Sequence, residues 1–345
     1  MTGVGSTDPL TRASVQPGDS SGPAHRPLEF ADFIGQKSIL NNLQVMIKAA
    51  QLREEPLEHV LFSGPPGLGK TTLAHIIAAE MSARVVVSSG PLLDRPGDLV
   101  AILSNLAQGQ VFFIDEIHRI PKGVEETLYS AMEDFRVDIV VGTGPGARTI
   151  SMPLERFTLI GATTRSGLLT APLRDRFGVM FQMEFYTPDE LQMIITAAAS
   201  RGDFAIDEDA ALHLAEHSRG TPRVALRLQR RIRDYAQVKG DGRIDLDNCR
   251  VGLEQLGIGA LGLDRLDRAI LQAIIERFGG GPVGLDTIAA VFHEERDVLS
   301  EVHEPYLLKM GLLYKTPRGR IATLKAYEYL GLPQPENAPG GPLFD

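Results

Sequence analysis

Four short apolar runs, Val60–Ser63, Arg84–Ser88, Val111–Ile114 and Phe157–Gly161, alternate with longer stretches of helical spacing. Each run is rich in Val, Ile, Leu or Phe and is bounded by Gly, Pro or Asp, the pattern of strands buried on both faces. Strands separated by helices predict a parallel sheet covered on both sides, so residues 26–186 read as an α/β domain. Val179–Phe185 predicts one more strand in it. Residues 187–257 then read as all-helical. Thr187-Pro188-Asp189-Glu190 has the composition of a helix start: a Thr cap, Pro at the first position, then acids near the positive end of the dipole. Gly220-Thr221-Pro222 repeats that signal. Residues 258–332 begin helical, break at Gly279-Gly280-Gly281-Pro282 and resume with a short helix, Leu285–Phe292. On the next helix Val298, Val302, Tyr306 and Met310 recur every four residues, which predicts one buried stripe, with Pro305 expected to kink or split it. Leu312–Thr323 closes the zone as two short strands around Pro317-Arg318-Gly319, the outline of a winged helix. Residues 1–25 and 333–345 are rich in Gly, Ser and Pro without periodicity and predict disordered tails.

Composition narrows the function classes. The chain has 345 residues and a net charge of −9, from 44 acidic and 35 basic side chains, so any nucleic-acid contact has to be local. The sole cysteine, Cys249, rules out an intrachain disulfide and suits a reducing compartment, with a cytoplasmic location expected. No apolar stretch approaches the roughly 18 residues of a membrane span, and the N-terminus has no secretory signal pattern.

The strongest chemical signal is Gly64-Pro65-Pro66-Gly67-Leu68-Gly69-Lys70-Thr71, which fits G-x-x-x-x-G-K-S/T between an apolar run and a helical stretch, Thr72–Met81. Glycines let backbone N–H groups approach phosphate oxygens, and the helix N-terminus adds its positive dipole end. Lys70 is positioned to reach the outer phosphates, and the Thr71 hydroxyl to ligate Mg²⁺. Asp115-Glu116 follows the apolar run Val111–Ile114, 45 residues beyond Lys70, at the end of the strand where open α/β sheets hold ligands. Asp115 fits the role of holding Mg²⁺ through water, and Glu116 that of orienting or deprotonating the attacking water. A candidate hydrolysis base behind a phosphate loop points to NTP turnover rather than binding alone. Thr163-Thr164 ends the next strand, and either hydroxyl could contact the water or the γ-phosphate, or merely satisfy a turn. Arg174-Asp175-Arg176-Phe177 could supply an arginine finger or a surface ion pair. Six arginines lie between Arg219 and Arg233, and most of them suit a solvated helix face.

These residues resemble the AAA+ ATPases. Arg26-Pro27, Phe33–Gln36, Phe113–Arg119, Ala131–Phe135, Gly161–Arg165, Ala171–Gly178, Gly220–Arg223 and Thr316–Arg320 resemble more closely the RuvB family, bacterial Holliday-junction branch-migration motors. The likeness runs from Arg26 to Leu332. It implies an AAA+ P-loop domain, an all-helical lid and a C-terminal winged-helix head, assembled as a hexamer with ATP and Mg²⁺ between subunits. By the same resemblance His25 and Arg26 flank the nucleotide, and Tyr186 and Arg223 close over it. Gly67, Lys70, Thr71 and Thr72 hold phosphates and metal, and Glu133, Asp134 and Phe135 lie at the nucleotide interface. Thr164 is the sensor in preference to Thr163, and Arg176 the finger in preference to Arg174. His25 departs from the family, where an apolar residue is usual. Implied partners are duplex DNA at four-way junctions, a RuvA-like junction-binding protein and a RuvC-like resolvase.

Two hairpins carry the remaining expectations. Val137–Val141 and Arg148–Met152 alternate across a Gly-rich turn. A bare hairpin is marginal in water and needs support; the resemblance makes its Ile139, Val141 and Ile150 the contact for the RuvA-like partner. The C-terminal hairpin carries Lys315, Arg318 and Arg320, three cations expected at its tip, with Arg296 added on the preceding helix. From Ile258 onward nine cationic residues face twelve acidic ones, so positive charge there is confined to small areas. Contacts to phosphate without base reading suit a motor that travels along any sequence. A protein-remodelling machine would need an aromatic pore loop, which the sequence lacks. A winged-helix regulator that only switches on nucleotide would not need Glu116.

Overall fold

The computed structural model describes Pro27, residues 29–141 and residues 148–334, with the side chains of 139–141 left out. Two compact units result. Of the described residues, one is built from those up to Phe33, Ser38–Phe62 and Lys70–Phe181; the other contains Ile34–Lys37, Ser63–Gly69 and those from Gln182 on.

In the first unit the strands are β1 (Val60–Ser63), β2 (Val85–Ser89), β3 (Val111–Asp115), β4 (Arg136–Val141), β5 (Arg148–Pro153), β6 (Thr158–Thr163) and β7 (Val179–Gln182). Five of them form one parallel sheet in the order β2-β3-β6-β1-β7. Residues β1 and β6 are buried along their whole length, which is why both read as unbroken apolar runs. The helices are α1 (Lys37–Arg53), α2 (Lys70–Glu80), α3 (Pro96–Leu103), α4 (Lys122–Glu133) and the single turn α5 (Ala171–Arg174). A core of Leu61, Phe112, Leu128, Phe157, Leu159 and Phe177 fills the space between sheet and helices. His59 is a polar tie inside this core. Its Nδ1 accepts from the Leu159 amide at 2.9 Å, so its Nε2 carries the proton and donates to the Met132 carbonyl at 3.1 Å. Burial lowers its pKa, the direction expected for an imidazole held neutral in an apolar site.

Strand β7 ends at Gln182, three residues short of the expected Phe185. The chain leaves the sheet there, and the Phe185 ring stacks edge-on against Tyr306, 6.4 Å away. Strands β4 and β5 pair as the expected antiparallel hairpin. Its base is supported: Val137 is fully buried and Met152 packs on the domain core. Its turn, residues 142–147, lies outside the described residues.

The second unit holds α6 (Pro188–Arg201), α7 (Glu208–Glu216), α8 (Pro222–Lys239) and α9 (Leu246–Gln255), then α10 (Arg265–Glu276), α11 (Leu285–Phe292), α12 (Arg296–Val298) and α13 (Glu304–Lys309). Strands β8 (Leu313–Thr316) and β9 (Gly319–Ala322) and helix α14 (Leu324–Leu330) complete it. The α6 start matches its sequence signal in full: Thr187 Oγ1 accepts from the Glu190 amide at 3.2 Å while Glu190 returns the bond to the Thr187 amide at 2.9 Å. At α8 the Pro is in place, but Thr221 makes no cap and its hydroxyl turns to the Ser218 carbonyl.

The stripe expected on the helix before the wing is corrected. Leu299–His303 forms a π-helical segment between α12 and α13, directly ahead of Pro305. Leu299, His303, Glu304, Tyr306 and Leu307 are buried, whereas Val302 is 45% exposed. A buried His bonded to Asp267 and a buried Glu paired with Arg320 form part of the inward face, and apolar periodicity cannot register them.

Candidate ATPase site and nucleic-acid interface

The phosphate loop joins β1 to α2. Gly64, Gly67 and Gly69 have φ of +139°, +84° and +104°, values that side chains with a Cβ rarely adopt. At Gly67 the need is also one of space, since a Cβ would come within 2.9 Å of the Arg223 Cβ. The Arg223 amide donates to the Gly67 carbonyl at 3.4 Å, and the Tyr186 hydroxyl donates to the Leu68 carbonyl at 3.0 Å. Tyr186 is buried, which pushes its pKa up and keeps the phenol neutral. A Cβ on Gly35 would come within 2.5 Å of the same ring, so Gly35 lets the chain pass it. The next side chain, Gln36, exchanges two bonds with the Glu184 backbone, at 2.7 and 3.2 Å. Thus Tyr186, Arg223 and Gly67, all expected at the nucleotide, are neighbours.

Lys70 is the first residue of α2 and is buried. Thr71 and Thr72 follow in its first turn, two residues earlier than the helix expected from Thr72. The Thr71 carbonyl accepts from His75 Nδ1 at 2.7 Å. These residues fit a bound nucleotide. Loop glycines free the amides to face phosphate oxygens, a buried ammonium follows them, and a hydroxyl follows that.

Strands β3 and β6 run parallel, with Ile114 opposite Gly161, so Asp115-Glu116 and Thr163-Thr164 leave the sheet at the same edge. Asp115 accepts from the Glu116 amide at 2.9 Å, and Glu116 has φ of +48°, a left-handed conformation that turns its side chain out of the strand line. Thr164 Oγ1 donates to Glu116 Oε2 at 3.3 Å, and His118 Nε2 stands 3.4 Å from that same oxygen. His118 Nδ1 is 2.9 Å from Thr163 Oγ1, which also accepts from the Arg165 amide. Thr163 is wholly buried and engaged in this local bonding, whereas Thr164 meets the acid directly. His118 was not singled out from the sequence. Its position two residues beyond Glu116 is the signal that could have found it, because the 3₁₀ turn Ile117–Arg119 brings the imidazole back to the carboxylate.

Arg176 donates to the Pro172 carbonyl at 2.7 Å and to Glu133 Oε2 at 2.9 Å, and its guanidinium lies 4.5 Å from the Tyr129 ring centre. Tyr129 is fixed in turn by its hydroxyl bond to Glu125, at 2.7 Å. Arg174 donates to the Leu169 carbonyl at 3.3 Å. Glu133 and Asp134 are exposed, the latter paired with Arg136 at 3.1 Å, and Phe135 packs edge-on against Phe157. His25 and Arg26 lie outside the described residues.

On the wing, one expectation is corrected. Arg320 is not at the tip. Its Nε donates to Glu304 Oε1 at 2.6 Å, and the two side chains are only 14% and 6% exposed. Lys315 and Arg318 are exposed, with Lys315 Nζ 3.9 Å from Glu304. Arg296 is also exposed and pairs with Asp286 at 3.3 Å. Of the other hairpin's expected contacts, Ile150 is 54% exposed, while the side chains of Ile139 and Val141 are outside the described set.

A P-loop sheet with an acid-bearing edge, a helical lid and a winged-helix head define an AAA+ ATPase with a nucleic-acid-binding module. Three family models match along the chain: the Holliday junction DNA helicase RuvB P-loop domain over residues 25–183, the RuvB AAA lid domain over 186–259 and the RuvB C-terminal winged helix domain over 260–331. The chain belongs to the RuvB family, and it is an ATP-hydrolysing enzyme of DNA recombination and repair. Among solved structures it is similar to the Thermotoga maritima RuvB Holliday junction branch migration motor, with 51% identity, 90% of this chain and 100% of that one covered, and a TM-score of 0.84. An alanine-to-serine variant of the Thermotoga protein matches at 52% identity over 90% and 99% of the two chains, TM-score 0.84. An arginine-to-alanine variant matches at 51%, with the same coverage and a TM-score of 0.83. Among the described residues no helix is long and apolar enough to cross a membrane.

Proposed function

We propose that the chain is a cytoplasmic motor that drives branch migration by pulling duplex DNA through a homohexameric ring, with ATP and Mg²⁺ held between subunits. In this reading Gly67, Lys70, Thr71 and Thr72 bind the phosphates, with His25, Arg26, Tyr186 and Arg223 around the rest of the nucleotide. Thr71 and, through water, Asp115 hold Mg²⁺, which when bound would neutralise charge on the phosphate oxygens. Glu116 takes the proton of the attacking water, and Thr164, bonded to the same carboxylate, orients it. Arg176, with Arg174 as the alternative, stabilises transition-state charge in the neighbouring subunit's site, beside Glu133, Asp134 and Phe135. Lys315, Arg318 and Arg296 contact DNA phosphates. The β4–β5 hairpin, through Ile139, Val141 and Ile150, docks a RuvA-like partner, and a RuvC-like resolvase cuts the junction that the motor moves.

The observation that carries the reading is the Glu116–Thr164 pair at the sheet edge, on a chain that also ends in a winged head with exposed cations. A water-activating acid has no purpose in a passive clamp. The test is ATP turnover alone, with linear duplex and with a synthetic four-way junction, each with and without a RuvA-like protein, at two salt concentrations. DNA should stimulate turnover, most strongly at the junction with the partner present, and added salt should weaken DNA binding. Stimulation by unfolded protein but not by DNA would refute the reading.

A further inference from the structure

The last turn of α7 carries His213, Glu216 and the capping residue His217 on one helix face, since positions i, i+3 and i+4 are neighbours there. One ligand atom from each lies within 4.8 Å of the other two. The imidazole centres are 4.4 Å apart, and His213 Nδ1 is 4.0 Å from Glu216 Oε2, too long for a hydrogen bond. His217 Nδ1 lies 2.7 Å from the His213 carbonyl oxygen. A carbonyl only accepts, so Nδ1 holds the proton and Nε2 keeps a bare lone pair. A backbone acceptor that fixes the imidazole tautomer is what metal-binding histidines ordinarily have behind them. His213 and His217 open onto a cleft of 390 Å³ that Arg250, Glu254, Arg265 and Arg268 also line, so there is room for an ion and its waters.

We propose that His213, Glu216 and His217 form a binding site for a borderline-soft divalent cation of the zinc class, separate from the nucleotide's Mg²⁺. Two nitrogens and one carboxylate suit Zn²⁺, Co²⁺ or Ni²⁺, whereas Mg²⁺ and Ca²⁺ prefer oxygen ligands. At a tetrahedral zinc, bonds of about 2.0–2.2 Å put ligand atoms about 3.3–3.6 Å apart. From separations of up to 4.8 Å the set would close by about 1.5 Å at most on binding. Arg250, Arg265 and Arg268 line the same cleft and repel all divalent cations alike, so the selectivity rests on the imidazole nitrogens. Two of these arginines have other partners: Arg268 donates to the Gly257 carbonyl at 2.8 Å, and Arg250 lies 3.8 Å from Asp247. The other described His/carboxylate group, Asp264, Asp267 and His303, is already served by the Arg219 guanidinium, 2.8 Å from Asp267. Bound metal would brace the His217 backbone, against which Gly262 packs so closely that a Cβ there would meet the His217 oxygen at 2.5 Å.

The test uses the full chain without nucleotide, in millimolar Mg²⁺ to occupy hard-oxygen sites. Zn²⁺ is titrated by calorimetry, and Co²⁺ by its visible d–d absorption. One equivalent should bind with a micromolar dissociation constant. His217→Gln should weaken binding more than about tenfold, and the His213→Gln/His217→Gln double variant should remove it. Glu216→Gln should weaken it less. The sites are partly exposed, so thermal melting should show the variants folded, with only the wild type gaining stability from Zn²⁺. Absence of saturable binding by the wild type would overturn the proposal. So would binding of equal strength and stoichiometry in the double variant.

Discussion

The chemistry of the sheet edge depends on single groups whose neighbours separate binding from turnover. Lys70 is a buried ammonium at the start of α2, with the loop glycines behind it. Lys70→Ala should abolish ATP binding and turnover together, as read by fluorescent-nucleotide titration and phosphate release. Glu116 lies off the strand line, held by Thr164 and His118. Glu116→Gln keeps the shape and removes the proposed proton acceptor, so kcat should fall about 10²–10⁴-fold with nucleotide affinity nearly unchanged. His118→Ala should lower kcat less, because it removes a group that positions the carboxylate. Equal losses for His118→Ala and Glu116→Gln would contradict that ranking. His59 gives a pH prediction independent of the site. Its folded pKa lies below the ordinary 6.5, so between those two values the unfolded chain binds a proton that the folded chain does not. Stability therefore rises with pH through that window and is lost as pH falls below 6.5. Urea midpoints measured from pH 7.5 downward should show the loss in the wild type, and a shallower slope in His59→Asn.

At the level of elements, the wing separates two kinds of cation. Arg320 and Glu304 are a buried pair, so Arg320→Ala leaves a carboxylate without its main partner and should cost about 3 kcal/mol of stability, read from urea unfolding. Arg318 is exposed at the turn. Arg318→Ala should leave stability unchanged, weaken duplex binding alike for all sequences and reduce the salt slope by about one. This division was not legible in the sequence. In the ladder Lys315 sits opposite Arg320, and nothing in the hairpin's own residues says that a glutamate from α13 comes up beneath one of them. The same blindness explains the misplaced stripe, where His303 and Glu304 belong to the buried face because Asp267 hydrogen-bonds the one and Arg320 pairs with the other. Strands β1, β3 and β6 were legible for the opposite reason: both faces are covered, so every residue had to be apolar or small. Strand β7 was read three residues too long because Phe185 continues the apolar pattern while serving a different core. The phosphate loop and Asp115-Glu116 were legible from their spacing; His118 was not, because a 3₁₀ turn rather than a strand or helix period returns it to the acid.

At the level of the whole molecule, Arg176 carries a test of the proposed ring and its proposed finger. Within its own chain the guanidinium is bonded to Glu133 and the Pro172 carbonyl and lies over the Tyr129 face. Glu133 is 57% exposed, so deleting its partner should disturb folding little. Loss of turnover in Arg176→Ala would then report a missing contribution to chemistry rather than a damaged fold. In a head-to-tail ring each protomer offers a different surface to either neighbour, so a finger and the site it serves belong to different chains. Two inactive variants can separate them. An Arg176→Ala protomer keeps its own site intact; a Glu116→Gln protomer has a dead site but an intact finger. Mixed one to one, about a quarter of the interfaces should join an intact site to an intact finger. ATP turnover should therefore appear on mixing two proteins that are each silent alone. It should rise and fall with the product of their fractions. If Arg176 served its own chain's site, no mixture would restore turnover at any ratio, and Arg174→Ala put through the same mixing test would decide whether the finger is the neighbouring arginine.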